Sequence, residues 1–224
     1  MSIKEKKTGR RLVVISLVIL FGPALFWILL TRGHNNYKSL PYFGPIEIGN
    51  NGDTSYHTIP IFSGLDQTGK LFSSDSLKGK VYIANFFFAS CPGICPKMNA
   101  LLRKVQEEFR GNQEVAIVSF TVNPEEDSAS VLYNYAQQLN ANHQQWHFLN
   151  SPFEEVKQIA EKGFFAVTRQ DSPDPDGISH SPNLFLVDKE QRIRAIRDGL
   201  ERKEVDSIIA EVKVLLLEYR EKKN

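Results

Sequence analysis

Two strongly apolar runs, VYIANFFF over 81–88 and EVAIVSFTV over 114–122, set the tightest constraint on how this chain folds. A strand with one wet face alternates polar and apolar side chains. Runs this apolar must be covered on both faces, as strands are inside a parallel sheet flanked by helices. A helix following the two cysteines to about Arg110 is expected between them, which gives a β-α-β unit.

The rest of the chain extends that unit. IPIFSG and a turn at DQTGK predict an N-terminal β-hairpin, and SSDSLKGK carries a helix-start signal. A helix through SASVLYNYAQQL follows Asn123 and Pro124, then a short strand WHFL at 146–149. Ser151, Pro152 and Glu154 form a capping-box pattern that predicts a helix over about 152–162. After a polar loop, TRQDSPDPDGIS, come the strand NLFLVD (183–188), a turn at KEQ, the strand RIRAIR and a closing helix from about Glu201 to Arg220. A β-α-β unit, a helix, a β-hairpin and a final helix make an α/β, thioredoxin-like topology with an N-terminal β-hairpin extension. In such sheets the functional crevice lies off the carboxyl ends of the central strands, and Cys91 stands just past one of them.

Residues 12–31, LVVISLVILFGPALFWILLT, carry no charge, and twenty residues at about 1.5 Å rise span a roughly 30 Å hydrocarbon core. This predicts a single transmembrane helix. Lys4, Lys6, Lys7, Arg10 and Arg11 before it keep residues 1–11 cytoplasmic and export the rest. The exit Trp27–Arg32 lacks the small residues of a signal-peptide cleavage site, which favours an uncleaved anchor. Residues 32–58, rich in Gly, Asn, Pro and Ser, read as a linker, and 59–224 as the folded domain. The expected location is a bacterial cytoplasmic membrane, single-pass with the domain in the periplasm; the mitochondrial inner membrane ranks second. No basic stripe with interleaved aromatics is present, so nucleic acid is not an expected partner.

The chain holds only two cysteines, Cys91 and Cys95 in FFFASCPGICPKMNALL, too few for a disulfide-stapled scaffold. They stand four apart, so a helical turn brings both sulfurs to one face, and a helix start favours thiolate over thiol. The pair can close as a disulfide, exchange thiols, or hold a soft metal; with one imidazole it suits Cu(I) and Cu(II) alike. His34, His57, His143 and His147 read as surface or satisfied histidines. His180 differs, because it ends the polar loop just before the strand expected beside the cysteine strand. Met98, one turn past Cys95, reads as core packing.

FFFASCPGICPKM, FTVNPEEDS, WHFL and SHSPNLFLVD together resemble the Sco (SenC) copper-chaperone family of cytochrome oxidase assembly, over roughly residues 60–220 and the N-terminal anchor. The resemblance implies copper ligands Cys91, Cys95 and His180, and a thioredoxin-like fold. It also implies delivery of one copper ion to a copper-binding subunit of cytochrome c oxidase. The family usually has an acidic residue where this chain has Asn123; Asp127, nearby, reads as a helix cap. The thioredoxin-like slot of Pro182 implies a cis Ser181–Pro182 bond. The alternative function is a thiol-disulfide oxidoreductase reducing the oxidase's copper-site cysteines, with Cys91 and Cys95 redox-active and forming the disulfide when oxidised. A peroxidase ranks last, since nothing near Cys91 signals a peroxide pocket.

Overall fold

The computed structural model describes residues 16, 17, 19–23, 39–49, 51–166 and 182–222. The chain divides into two compact units, Met1–Lys38 and Ser39–Asn224. In the first, Ser16, Leu17 and residues 19–23 are helical, Gly22 and Pro23 included. Among the described residues no helix is long and apolar enough to cross a membrane.

Among the described residues the second unit is built on nine strands: β1 (Ile46–Ile48), β2 (Thr54–Tyr56), β3 (Ser63–Asp66), β4 (Leu71–Ser73), β5 (Val81–Phe87), β6 (Val115–Thr121), β7 (Trp146–Asn150), β8 (Asn183–Val187) and β9 (Ile193–Asp198). Four α-helices accompany them: α1 (Ile94–Glu108), α2 (Ala129–Gln138), α3 (Phe153–Gln158) and α4 (Arg202–Glu221). Seven strands form one sheet in the order β4-β3-β7-β6-β5-β8-β9. Its centre is parallel, β5 with β6 and β6 with β7, and antiparallel strands flank it on both sides. Every residue of β5 and β6 is buried, as their composition demands.

The alternation of side chains along these strands makes two cores. Val81, Ile83 and Phe87 pack with Ile117 under α1, α2 and α4, while Tyr82, Ala84 and Phe86 pack with Val118 and Phe120 against α3 and the hairpin's Phe62 and Phe72. Cys95, Met98, Asn99, Leu102, Val105 and Gln106 are the buried stripe of α1, with the three- and four-residue steps of one helical face. Met98, 1% exposed, is a core residue as its spacing indicates.

Two readings of the sequence need adjustment. The stretch assigned to a linker is structured from Ser39 onward. β1 and β2 pair as a hairpin, the Phe43 N–H donates to the Ile193 carbonyl at 3.0 Å, and Arg194 is fully buried with its Nη2 donating to the Leu40 carbonyl at 2.7 Å. A buried guanidinium needs acceptors on every N–H, and the backbone carbonyls of Leu40 and Pro41 supply two of them. The capping box at Ser151 does not form. The Ser151 hydroxyl donates to the Ser63 carbonyl at 2.6 Å instead, and Pro152 takes the cap position with no side-chain bond. That close approach requires Gly64, where a Cβ would overlap Ser151 Oγ and come 2.7 Å from the Asn150 carbonyl oxygen. The helix itself runs as α3 and ends in a π-helical turn, Ile159–Gly163. The Ser181–Pro182 bond falls on Ser181, outside the described residues.

Candidate metal centre

Cys91 follows the carboxyl end of β5 by four residues, and Cys95 lies in the first turn of α1. Both thiols are free and buried, at 8% and 1% exposure. Gly93, the residue before α1, offers no side-chain cap, and Pro96 in the first turn has no N–H to offer. The orphan donors of the turn therefore find the Cys91 sulfur. Burial pushes the Cys91 thiol up, but the N–H of Cys95, the Cys95 thiol and the N–H groups of Gly93 and Ile94 outweigh it, and its pKa is lowered. Cys95 is pushed up to about 12, first by burial and then by the neighbouring Cys91, against a donated Phe88 N–H. The pair is thus electrically asymmetric, with the first negative charge resting on Cys91.

Asp127 sits behind this turn and is not a helix cap. Ser128 caps α2 through its hydroxyl, while the Asp127 carboxylate turns inward, accepting the Ala89 N–H at 2.9 Å and the Thr121 hydroxyl. It is 1% exposed, and burial raises its pKa against those two donors. One buried carboxylate therefore ties the segment before Cys91 to the end of β6. The Asn123 N–H donates to Thr121 Oγ1 at 3.0 Å, so Asn123 joins this knot through its backbone.

A second polar chain runs beneath the cysteines. Trp146 Nε1 donates to Ser119 Oγ at 2.9 Å and Ser119 Oγ to Asn85 Oδ1 at 2.6 Å. Asn85 Nδ2 donates to Asn99 Oδ1 at 3.1 Å, and Asn99 Nδ2 to the Tyr135 hydroxyl at 2.8 Å. Asn99 is four residues past Cys95 on the buried face of α1, and the Tyr135 ring stacks on Phe87 with centroids 5.2 Å apart. Sequence reading found none of this, because each partner is ordinary alone and the links span 14 to 36 residues.

His57 and His143 are satisfied as expected, but His147 is neither on the surface nor fully satisfied. His57 Nε2 lies 2.8 Å from the Gly163 carbonyl, and His143 Nδ1 is 3.2 Å from Gln67 Nε2. The His147 ring packs 4.4 Å from that of Phe72 and its Nδ1 is buried without a partner. Burial drives its pKa down to about 4. Because the native state holds His147 neutral while the unfolded chain protonates near 6.5, stability is full above pH 6.5 and drains as pH falls toward 4. The His147→Phe variant is expected to show a shallower acid loss, by about 2 to 3 kcal/mol between pH 7 and 4.5. Urea midpoints at the two pH values check this; equal slopes for both proteins would contradict it. His34 and His180 lie outside the described residues. Among the described residues no group of three or more His, Cys, Asp or Glu side chains is placed to hold a metal. The structure brings Cys91 and Cys95 together, and a third ligand would have to come from elsewhere in the chain.

β8 is antiparallel to β5, pairing Ala84 with Phe185, so the amino end of β8 lies at the carboxyl end of β5, where the chain departs toward Cys91. The family model described as SCO1/SenC matches residues 51–217. The SCO1 protein homolog of Bacillus subtilis (strain 168) is 31% identical over 163 residues, 72% of this chain and 84% of that protein. BsSco, solved in work on its disulfide switch and described as a member of the Sco family of cytochrome c oxidase assembly proteins, is 30% identical. It superposes with a TM-score of 0.62 over 71% of this chain and 93% of its own. Arabidopsis thaliana ScoI, solved with copper bound, is 25% identical with a TM-score of 0.56, over 70% of this chain and 98% of its own. The mixed α/β, thioredoxin-like fold is common to them. With three quarters of its length matched by one family model and its cysteine turn at the expected strand end, the chain belongs to the SCO1/SenC family.

Proposed function

We propose that this protein is a membrane-anchored copper chaperone that binds one copper ion through Cys91, Cys95 and His180 and passes it to a copper-binding subunit of cytochrome c oxidase. The observation that carries the reading is the cysteine pair itself: two sulfurs in one helical turn, buried, with the first charge on Cys91. Soft, adjacent, partly ionised sulfurs match Cu(I), and an imidazole extends the set to Cu(II). The antiparallel entry of β8 supports His180 as that imidazole, because His180 precedes Asn183 by three residues and β8 begins at the cysteine end of the sheet. The relatives support the metal and the acceptor, one with copper bound and one from cytochrome c oxidase assembly.

The uncharged run 12–31 serves as the anchor in this reading, with residues 1–11 cytoplasmic and the domain on the periplasmic face. Since Ser39 begins the folded unit, residues 32–38 remain to act as the tether. Anchoring raises the donor's effective concentration at a membrane-bound acceptor. Transfer needs no redox step, because sulfur ligands of the acceptor displace those of the donor one at a time.

The asymmetry of the pair favours a second activity at the same site, reduction of an acceptor disulfide. The Cys91 thiolate attacks one acceptor sulfur, forming a mixed disulfide and releasing the other sulfur as thiolate. Cys95 then attacks Cys91, leaving a Cys91–Cys95 disulfide and a reduced acceptor, two electrons having moved from the chain to its partner.

Copper stoichiometry and absorption spectra of the detergent-solubilised chain test the reading, with Cys91→Ser, Cys95→Ser and His180→Ala compared. One copper per chain is expected, with copper lost in both cysteine variants and Cu(II) lost in the histidine variant. Undiminished Cu(II) affinity in His180→Ala would sink the three-ligand site; copper retained by both cysteine variants would end the copper reading.

A further inference from the structure

Gly199 ends β9 one residue after Asp198, and its backbone is where two halves of the molecule meet. Its N–H donates to the Pro182 carbonyl at 2.7 Å, which continues the β8–β9 ladder one step beyond the Asn183–Asp198 pair. A Cβ built on Gly199 would lie 2.7 Å from Met98 Cγ, 2.9 Å from the Pro182 carbonyl oxygen and 3.0 Å from Leu184 Cγ. Its dihedral angles lie outside the left-handed region, so the constraint is space alone. At these distances a neighbour must shift to admit a Cβ. Met98 and Leu184 are core side chains at 1% and 0% exposure, and the Pro182 oxygen is held by the Gly199 amide itself. The turn is pinned from behind as well, since the Leu200 N–H donates to Asp198 Oδ1 at 2.8 Å.

Met98 belongs to the cysteine helix, and Pro182 leads into β8, the strand that follows His180 in the chain. Met98 is three residues past Cys95 on the same buried stripe of α1. Pro182 is two residues past His180, a separation the chain bridges with at most about 7 Å between Cα atoms. We infer that Gly199 is a positioning residue for the centre. By lacking a side chain it lets the β9 end lie between the cysteine helix and the mouth of β8, and so sets the distance from the cysteine pair to the segment that brings His180. This rests on the three-ligand reading above.

The test is Cu(II) and Cu(I) affinity of the full chain in detergent, measured by competition with chromophoric chelators, for wild type, Gly199→Ala and His180→Ala. In Gly199→Ala the added methyl group displaces the Pro182 carbonyl. Cu(II) affinity is expected to fall about 10- to 100-fold, while Cu(I) affinity, carried by the two sulfurs, stays within about threefold. Wild-type Cu(II) affinity in Gly199→Ala, with His180→Ala impaired, would overturn this inference and leave the three-ligand site standing. Wild-type Cu(II) affinity in His180→Ala would remove the site on which it rests. An equal loss of Cu(I) and Cu(II) in Gly199→Ala would show general damage to the domain and overturn the inference too. The double variant Met98→Ala, Gly199→Ala removes the 2.7 Å contact with Met98 but keeps the 2.9 Å approach to Pro182, and so keeps the test open if the single variant folds poorly. It is expected to retain the Cu(II) defect; recovery of Cu(II) binding would overturn the role assigned to Pro182.

Discussion

Replacing Asp188 by Ala is expected to lower the stability of the folded unit by about 3 to 5 kcal/mol, the cost of leaving a buried ion pair with one member. Asp188 is fully buried, and its carboxylate meets Arg194 Nη1 at 3.2 Å and Arg192 Nε at 2.9 Å. Its other oxygen accepts the N–H groups of Glu190 and Arg192 at 3.0 and 2.9 Å, closing the β8–β9 turn. Arg194 also holds the Leu40 and Pro41 carbonyls, Glu218 and the face of Tyr42, whose ring centroid is 4.3 Å from its Cζ. Removing Asp188 thus leaves a buried guanidinium short of an anion and slackens the arm at 39–43. Chemical denaturation gives the loss directly. A change below about 1 kcal/mol would mean that Glu218 and the two carbonyls satisfy Arg194 without help.

The second large effect concerns the cysteines. The pKa of Cys91 is lowered by the N–H groups of the turn and by the Cys95 thiol, whereas burial pushes Cys95 up to about 12. At neutral pH the thiolate fraction is therefore larger at Cys91, an advantage only partly offset by the lower nucleophilicity of the more acidic thiolate. Sub-stoichiometric iodoacetamide is therefore expected to label Cys91 in preference to Cys95, as read by peptide mass spectrometry. Preferential labelling of Cys95 would reverse the assignment of attacking and resolving thiols. The direction of the asymmetry follows from position. Cys91 lies where the first N–H groups of α1 converge, whereas Cys95 is deeper and sees the charge on Cys91.

Much of this architecture was legible in the sequence because it is written in local patterns. The strongly apolar runs gave β5 and β6 to within a residue, and the spacing of Met98, one turn past Cys95, gave its place in the core, on α1. The failures share one cause, competition from a distant partner for a residue with a good local role. Ser151 and Asp127 both have cap-forming chemistry, yet Ser63 claims the first from 88 residues away and Ala89 the second from 38. Arg194 sits in an alternating strand, where an arginine reads as solvent-facing; its burial under residues 39–42 is what turned a linker into part of the fold. The Asn85–Asn99–Tyr135 chain had no signal at all, since no pattern announces an amide that will meet another amide across a sheet and a helix. Of the proposed ligand set, the geometry speaks for the two cysteines, and His180 rests on the direction of β8 and on the family.

Cys91 and Cys95 are members of the same packed cluster as Phe87, Met98 and Leu102. A binding site perched on a surface loop can fill and empty without the rest of the molecule registering it; one made of core residues cannot. Whatever the two sulfurs hold in the folded chain and not in the unfolded one adds its binding free energy to the stability of the whole domain, about 2.7 kcal/mol for a free ligand at a hundred times its dissociation constant. Loading and melting thereby become a single equilibrium. The unloaded chain is then also the form that opens more often, and the form that proteases find first.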